Sequence, residues 1–579
     1  MRRLLACTLL PLLAACSTLP HPPPPPPPPE LARPGAAVEV QILALNDFHG
    51  NLETPAPFEV TEEDGSRVKL AAGGAAQLAA KLEQLRHGMP WSVTVSAGDT
   101  IGATPLTSAL FLDEPTIEAM NRIGLEFNAV GNHEFDKGVL ELKRMQDGGC
   151  TQHTRRMPCA VEPFRGGTFR YLAANVVQPD GTTVFQPTGV KQFDTPAGPI
   201  RIGFIGMTLK ATANLVTPAG VKGLTFADEA AAANALVPTL KAQGVDSIVL
   251  LIHQGGKLPT LNRGNGCDGL FGEIKPILAK LDPAIATIVS GHTHWAYVCK
   301  GSAAGIAPGQ LLTSAGKNGY LLTDIRLAFD RATRRLIDQR AVNHLVDAGA
   351  GAAEDPAMKA YVGKYVAAAA PLANRVVGRL TRIARRSEFD GESQAANLIA
   401  DSMLAATRDR AKGGARIALV NATGVRVDLP GGEVRYKDAF AMMPFGNNLV
   451  VMTLTGAQLK QAIEQQFAIP LRAGFNQPSV LAPSVGFTYR YDLSRPAGER
   501  IVAMQLGGKP IAPGAPYRVV VNNYLASGGD GLKAFTGGTD VTDANIVDID
   551  ALIAWIAPGR TPPNAHRVGG VAAAAAPKS

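Results

Sequence analysis

The sequence predicts an α/β protein built as two bodies joined by a helical connector, and three observations predict it. From Val38 to about Val346, short β-branched runs alternate with helix-compatible stretches, the pattern of an α/β domain with largely buried sheets. An alanine-rich, helix-compatible segment from Asp355 to Ala370 precedes Pro371. A second α/β stretch then runs from about Asn374 to Pro558. With 579 residues, 46% hydrophobic and 18% charged, the chain has room for about two to four domains and ample apolar material for their cores. Its 61 glycines and 43 prolines follow no triplet period, which excludes a collagen-like fibre. The net charge of +7 is spread thinly, without a lysine/arginine cluster, so no nucleic-acid polymer is expected as a partner. No apolar run reaches the roughly 18 residues of a membrane-spanning helix.

Taken in order, the chain opens with Met1-Arg2-Arg3 and an apolar stretch from Leu4 to Ala15, which reads as a secretory signal over residues 1–15. Leu13-Ala14-Ala15-Cys16 resembles a bacterial lipoprotein signal, in which the cysteine takes lipid and becomes the mature N-terminus. In that class of signals Ser17 at the next position favours the outer membrane. The linker over residues 16–37 contains an octaproline, Pro22 to Pro29, expected to form a stiff polyproline II spacer of ~3.1 Å per residue. Without Cys7 and Cys16, four cysteines remain: Cys150, Cys159, Cys267 and Cys299. An even count in an oxidising compartment suggests two disulfides. Three pairings are open, and proximity along the chain favours Cys150–Cys159 and Cys267–Cys299.

The first body, residues 38–346, has expected strands at Val38–Leu45, Ser92–Ser96, Phe127–Val130, Tyr171–Ala174, Ile200–Ile205, Ser247–Ile252 and Ile285–Ser290. Gly73–His87 carries Leu78, Leu82 and Leu85 at helical spacing. Residues 347–373 form the connector. In the second body, residues 374–558, Thr455-Gly-Ala-Gln458 has capping-box spacing after the strand Leu449–Leu454. The proline- and alanine-rich tail, residues 559–579, is expected to be disordered.

Of ten histidines, five fall just after predicted strands, in polar turns. Asn46-Asp47-Phe48-His49-Gly50 follows the first strand, Gly98-Asp99 the second, and Gly131-Asn132-His133-Glu134-Phe135-Asp136 the third. His253-Gln254-Gly255 and Gly291-His292-Thr293-His294 follow two later ones. Loops at the carboxyl ends of strands converge on one crevice in an open α/β sheet. Carboxylate, amide and imidazole donors together suit a pair of divalent ions, zinc or manganese, and the lack of thiolates argues against a structural zinc site. Each piece alone is a common surface coincidence, but five in order at strand exits are not.

The order Asp-x-His, Gly-Asp, Gly-Asn-His-Glu, His, Gly-His-x-His resembles the calcineurin-like metallophosphoesterases. That resemblance implies a four-layer α/β sandwich for the first body. It also implies that Asp47, His49 and His294 hold one metal, that Asn132, His253 and His292 hold the other, and that Asp99 bridges. Two such ions would polarise a phosphoryl oxygen and activate water for in-line attack. His133 matches the family's non-ligand histidine, which stabilises the transition state and assists the leaving oxygen. Asp136 matches the carboxylate that orients it.

The second body carries Glu392-Ser393 with Asn397 to Asp401, then Asn421-Ala422-Thr423-Gly424-Val425-Arg426, Pro444-Phe445 and Asn523 to Gly531, in that order. These motifs resemble the bacterial periplasmic 5′-nucleotidase/UDP-sugar hydrolase family, across nearly all of the mature chain. The resemblance implies that Phe445 and Tyr524 sandwich a nucleobase, at ~1–3 kcal/mol per stacked face. It places Asp530 at the ribose hydroxyls, Arg426 on phosphate and Asn421 in the substrate site. Two departures stand out. Ala422 and Thr423 replace usual glycines, and no arginine aligns with one that some relatives carry before the Glu-Ser helix, although Arg385 and Arg386 are near.

These features together imply a lipid-anchored enzyme, expected at the outer membrane facing the periplasm, that hydrolyses nucleotides to nucleoside and phosphate. Within the same family, the alternatives are a 2′,3′-cyclic-nucleotide phosphodiesterase/3′-nucleotidase and a UDP-sugar hydrolase. A thiosulfohydrolase is disfavoured by the aromatic pair. From another class, a non-catalytic surface lipoprotein would have lost some of the metal ligands, and none is missing.

Overall fold

Period-two alternation decides the layering of the first body. Along Ala37–Leu45, Val40, Ile42 and Ala44 enter one core cluster while Leu43 and Leu45 enter another on the opposite face. The computed structural model describes residues 37–570, except 63, 261, 302–304, 387–390 and 469–479. The expected signal with Cys16, the octaproline Pro22–Pro29 and residues 571–579 lie outside the described residues. No helix among the described residues is long and apolar enough to cross a membrane.

The first body holds two six-stranded sheets. One runs Leu336–Leu345, Leu321–Asp330, Ala37–Leu45, Ser92–Ser96, Leu125–Ala129, Arg170–Leu172, with the last four mutually parallel. The other runs Ala296–Lys300, Leu311–Ala315, Ile285–Ser290, Ser247–Ile252, Gly198–Met207, Thr188–Thr195, parallel at its centre and antiparallel at both edges. The sheets pack face to face through Ile42, Val95 and Phe127 on one side and Phe204, Val249 and Leu251 on the other. The outer face of the first sheet is covered by helices Ala75–Arg86, Glu114–Arg122 and Val139–Asp147. Helices Glu229–Ala242 and Ile274–Leu278 cover the second. This is the four-layer α/β sandwich expected. Disulfides join Cys150 to Cys159 and Cys267 to Cys299, as proximity favoured.

The connector helix spans Pro356–Ala373, running past Pro371, with Asp355 capping it by accepting from the Met358 N–H. Met358, Tyr361, Tyr365 and Ala369 are buried in the first body's core, so this helix is docked rather than free.

The second body is built on a five-stranded sheet, ordered Ala482–Pro483, Ile417–Val420, Pro516–Asn522, Asn448–Thr455, Thr539–Val547. Helices Gln394–Thr407 and Asp548–Ile556 pack on one face. Helix Gly456–Gln465 packs on the other, and the reciprocal Thr455–Gln458 capping box opens it. A four-stranded sheet, Lys509–Pro510, Ile501–Leu506, Phe487–Tyr491, Val568–Gly570, completes the body.

That last strand corrects the expectation of a disordered tail beginning at Gly559. Val568–Gly570 pairs in parallel with Phe487–Tyr491. The buried Glu392 carboxylate accepts from the backbone N–H groups of His566 (2.7 Å), Arg567 (2.9 Å) and Val568 (3.1 Å). Arg567 grips Asp401 through two bonds of 2.7 and 2.8 Å. Composition misled here because a short strand at a sheet edge draws its stability from partners elsewhere, not from its own apolar content.

Candidate active site

The carboxyl ends of the parallel strands bring five loops to one place. Asp47 and His49 follow Ala37–Leu45, Asp99 follows Ser92–Ser96, and Asn132 and His133 follow Leu125–Ala129. His253 follows Ser247–Ile252, and His292 and His294 follow Ile285–Ser290 on the second sheet. The sheets are stitched across the gap where the His292 backbone N–H donates to Asp47 Oδ2 at 2.9 Å.

The loops are tightly nested. A Cβ on Gly131 would fall 2.2 Å from Asp99 Oδ1, and one on Gly98 would fall 2.8 Å from His253 Nδ1, with φ +90° at Gly98 besides. Asp47, His49, Asp99, His292 and His294 all adopt left-handed backbone conformations, with φ of 50°, 47°, 49°, 70° and 65°. Such conformations are uncommon for non-glycine residues and gather at functional sites.

Two ligand clusters result. The donor atoms of Asp47, His49 and His294 lie within 4.8 Å of one another, as do those of Asp99, His253 and His292. Asp99 Oδ2 stands between the clusters, 3.0 Å from His253 Nε2 and 3.9 Å from His49 Nε2. Asn132 Oδ1 is 3.0 Å from His292 Nδ1. All seven residues expected as ligands are therefore brought together.

The donor chemistry fits divalent cations. His49 Nδ1 donates to the Gly102 carbonyl at 2.9 Å and His253 Nδ1 to the Ala97 carbonyl at 2.8 Å. A carbonyl only accepts, so the proton sits on Nδ1 and each Nε2 is turned towards the centre. His49 Nε2 and His294 Nε2 are 3.1 Å apart, and burial pushes the His49 pKa down to about 3, so two neutral rings face each other. Burial works against a charge on His253 as well, but Asp99, whose Oδ2 is 3.0 Å from Nε2, outweighs it with help from Asp47 and lifts its pKa to about 10. Burial, together with the His253 charge, likewise takes His292 to about 3. The neutral rings of His49, His292 and His294 beside the buried carboxylates of Asp47 and Asp99 fit divalent cations, which would replace the proton on His253.

His133 is set apart from this ligand set. Its Nδ1 bonds Asp136 Oδ2 at 2.8 Å, and its backbone N–H donates to Asp99 Oδ1 at 2.9 Å. Burial works against a charge on its ring, but the carboxylates of Asp136 and Asp99 outweigh it and lift its pKa to about 9. Glu134 does not stand out in the sequence as a site residue, although it completes the Gly-Asn-His-Glu run. Its buried carboxylate accepts from the backbone N–H groups of Asp99 (3.0 Å), Thr100 (2.8 Å) and Gly131 (2.7 Å), tying two ligand loops together.

The expected substrate residues form two groups. The Phe445 ring lies against His133, centroids 6.2 Å apart and planes 14° from parallel, and the Arg426 guanidinium is 5.8 Å from the Phe445 centroid. Asn421, Tyr524 and Asp530 are joined by hydrogen bonds, and the Tyr524 hydroxyl also reaches the Asn214 carbonyl of the first body at 3.3 Å.

Two family models match the chain: calcineurin-like phosphoesterase over residues 40–296, and 5′-nucleotidase, C-terminal domain, over residues 368–537. The chain belongs to the family that joins these two domains. It is 30% identical over 499 residues to endonuclease YhcR of Bacillus subtilis (strain 168), across 85% of this chain but only 37% of that protein's length. To a probable 5′-nucleotidase of Treponema pallidum (strain Nichols) it is 27% identical over 591 residues, covering 90% of this chain and 91% of that one. The solved 5′-nucleotidase precursor of Thermus thermophilus matches with a TM-score of 0.72 and 26% identity, over 93% of this chain and 100% of the other. The metallophosphoesterase fold and its two convergent donor groups imply divalent metals.

Proposed function

We propose that this metallophosphoesterase hydrolyses nucleotides to nucleoside and phosphate with two divalent ions, zinc or manganese. One observation carries the reading: the Phe445 ring of the second body lies against His133, with the Arg426 guanidinium 5.8 Å from its centroid, which supports an aromatic face for the base and a cation for phosphate beside the ligand clusters. The likeness to the Thermus 5′-nucleotidase precursor and the match to the 5′-nucleotidase C-terminal domain support it.

Asp47, His49 and His294 would hold one ion and Asn132, His253 and His292 the other, with Asp99 between. Bound there, the ions supply Lewis acidity and an activated water for in-line attack on phosphorus. The chain's own residues do the rest. His133, charged at neutral pH and fixed through Nδ1 by Asp136, presents Nε2 to neutralise and protonate the departing nucleoside oxygen. Arg426 offsets charge on the phosphate, and the aromatic faces hold the base.

The test is phosphate release from nucleoside mono- and diphosphates, nucleoside 2′,3′-cyclic phosphates, UDP-glucose and a short oligonucleotide, after chelation and again after zinc or manganese is restored. Metal-dependent release, greatest with mononucleotides, is expected. Cleavage confined to the cyclic phosphates, the oligonucleotide or UDP-glucose would replace the reading with a diesterase one.

We also infer attachment to the cell envelope through a lipid on Cys16, supported by the Leu13-Ala14-Ala15-Cys16 sequence. Cys16→Ser is expected to move the protein from membranes to the soluble fraction, because acylation supplies the anchor. Unchanged membrane association in fractionated cells would refute it.

A further inference from the structure

In the proposed reading Asp530 is the acceptor at the sugar, and the selectivity inferred from its surroundings rests on that reading. Its carboxylate is already engaged. Asn421 Nδ2 donates to Oδ2 at 2.9 Å and Thr423 Oγ1 donates to the same oxygen at 2.7 Å. The Tyr524 hydroxyl donates to Oδ1 at 2.8 Å and in turn accepts from the Asp530 backbone N–H at 2.9 Å. Asn421 Nδ2 also donates to Thr423 Oγ1 at 2.6 Å, closing a ring of three residues. Asp530 is further fixed by a left-handed backbone, φ 54°, between glycines.

Each carboxylate oxygen accepts about two hydrogen bonds. Oδ2 is therefore full, and Oδ1 has one site left. A carboxylate that grips both hydroxyls of a ribose needs a free position on each oxygen. Thr423 is the partner that fills the second position on Oδ2. It is exposed at the surface, whereas Asn421 is buried and Tyr524 half-buried.

We propose that Thr423 sets the sugar selectivity of this protein. By filling Oδ2 it leaves Asp530 able to take one sugar hydroxyl instead of two, so ribonucleosides and 2′-deoxyribonucleosides are held about equally. The substrate class thus extends to 2′-deoxyribonucleotides.

Titration calorimetry of the full chain, loaded with metal, with adenosine and with 2′-deoxyadenosine reads this directly and involves no bond cleavage. For the unaltered protein the two affinities are expected to agree within about threefold, less than one hydrogen bond to a charged group would give. Thr423→Ala should shift the ratio roughly tenfold towards adenosine. Thr423→Ser, which keeps the hydroxyl, should match the unaltered protein. An unaltered protein that already prefers adenosine tenfold, or a ratio indifferent to Thr423→Ala, overturns the inference while leaving the nucleotide reading standing. Failure of the unaltered protein to bind either nucleoside overturns both.

Discussion

His133→Ala is expected to retain its divalent ions while turnover falls by ~10²–10⁴, the range for losing a positioned proton donor or charge stabiliser. The geometry separates the two functions. The His133 ring is held by Asp136 at 2.8 Å and belongs to neither ligand cluster. Asp99→Ala should behave in the opposite way, because its carboxylate stands between His253 and His49, one from each cluster. Metal content by elemental analysis and kcat with an aryl phosphate give the two readouts. Metal lost from His133→Ala, or undiminished turnover in that variant, would show the roles to be assigned wrongly.

Replacing Phe445 and Tyr524 together by alanine is expected to lower kcat/KM for AMP by ~10²-fold or more, at ~1–3 kcal/mol per stacked face and tenfold per 1.4 kcal/mol. Hydrolysis of an aryl phosphate, which has no base to stack, should fall far less. The Tyr524 hydroxyl has a separate task, since it binds Asp530 and reaches Asn214, so Tyr524→Phe serves as the control that keeps the ring. Equal losses on both substrates would mean that the changes act through contact between the bodies. No loss on either would place the base elsewhere.

Where a strand is a β-branched run between polar or glycine turns, the sequence shows it end to end. Ser92–Ser96, Ser247–Ile252 and Ile285–Ser290 occur as expected. Phe127–Val130 and Tyr171–Ala174 are displaced, the strands being Leu125–Ala129 and Arg170–Leu172, because apolar runs there overrun into the loops. The ligand loops were legible for a chemical reason: Asp, Asn and His are poor strand residues, and at strand exits they stand out. Contacts made through space were not legible. Glu134 is an ordinary acidic residue until its carboxylate is seen holding two loops, and Thr423 is an ordinary turn residue until it is seen against Asp530. The strand Val568–Gly570 is held by pairing with Phe487–Tyr491 and by Glu392, far away in sequence, which accepts from the N–H groups of Val568 and the two residues before it.

The left-handed backbone at five of the ligand-bearing residues gives these loops a conformational cost that the rest of the fold must offset. Each such position is disfavoured by on the order of 1 kcal/mol or more, so the sandwich beneath must be rigid enough to hold all five at once. A homologous scaffold with a softer core could carry every ligand side chain and still fail, its loops relaxing to ordinary conformations that aim the imidazoles away from one another. Transplanting this centre therefore means transplanting the sheets with it.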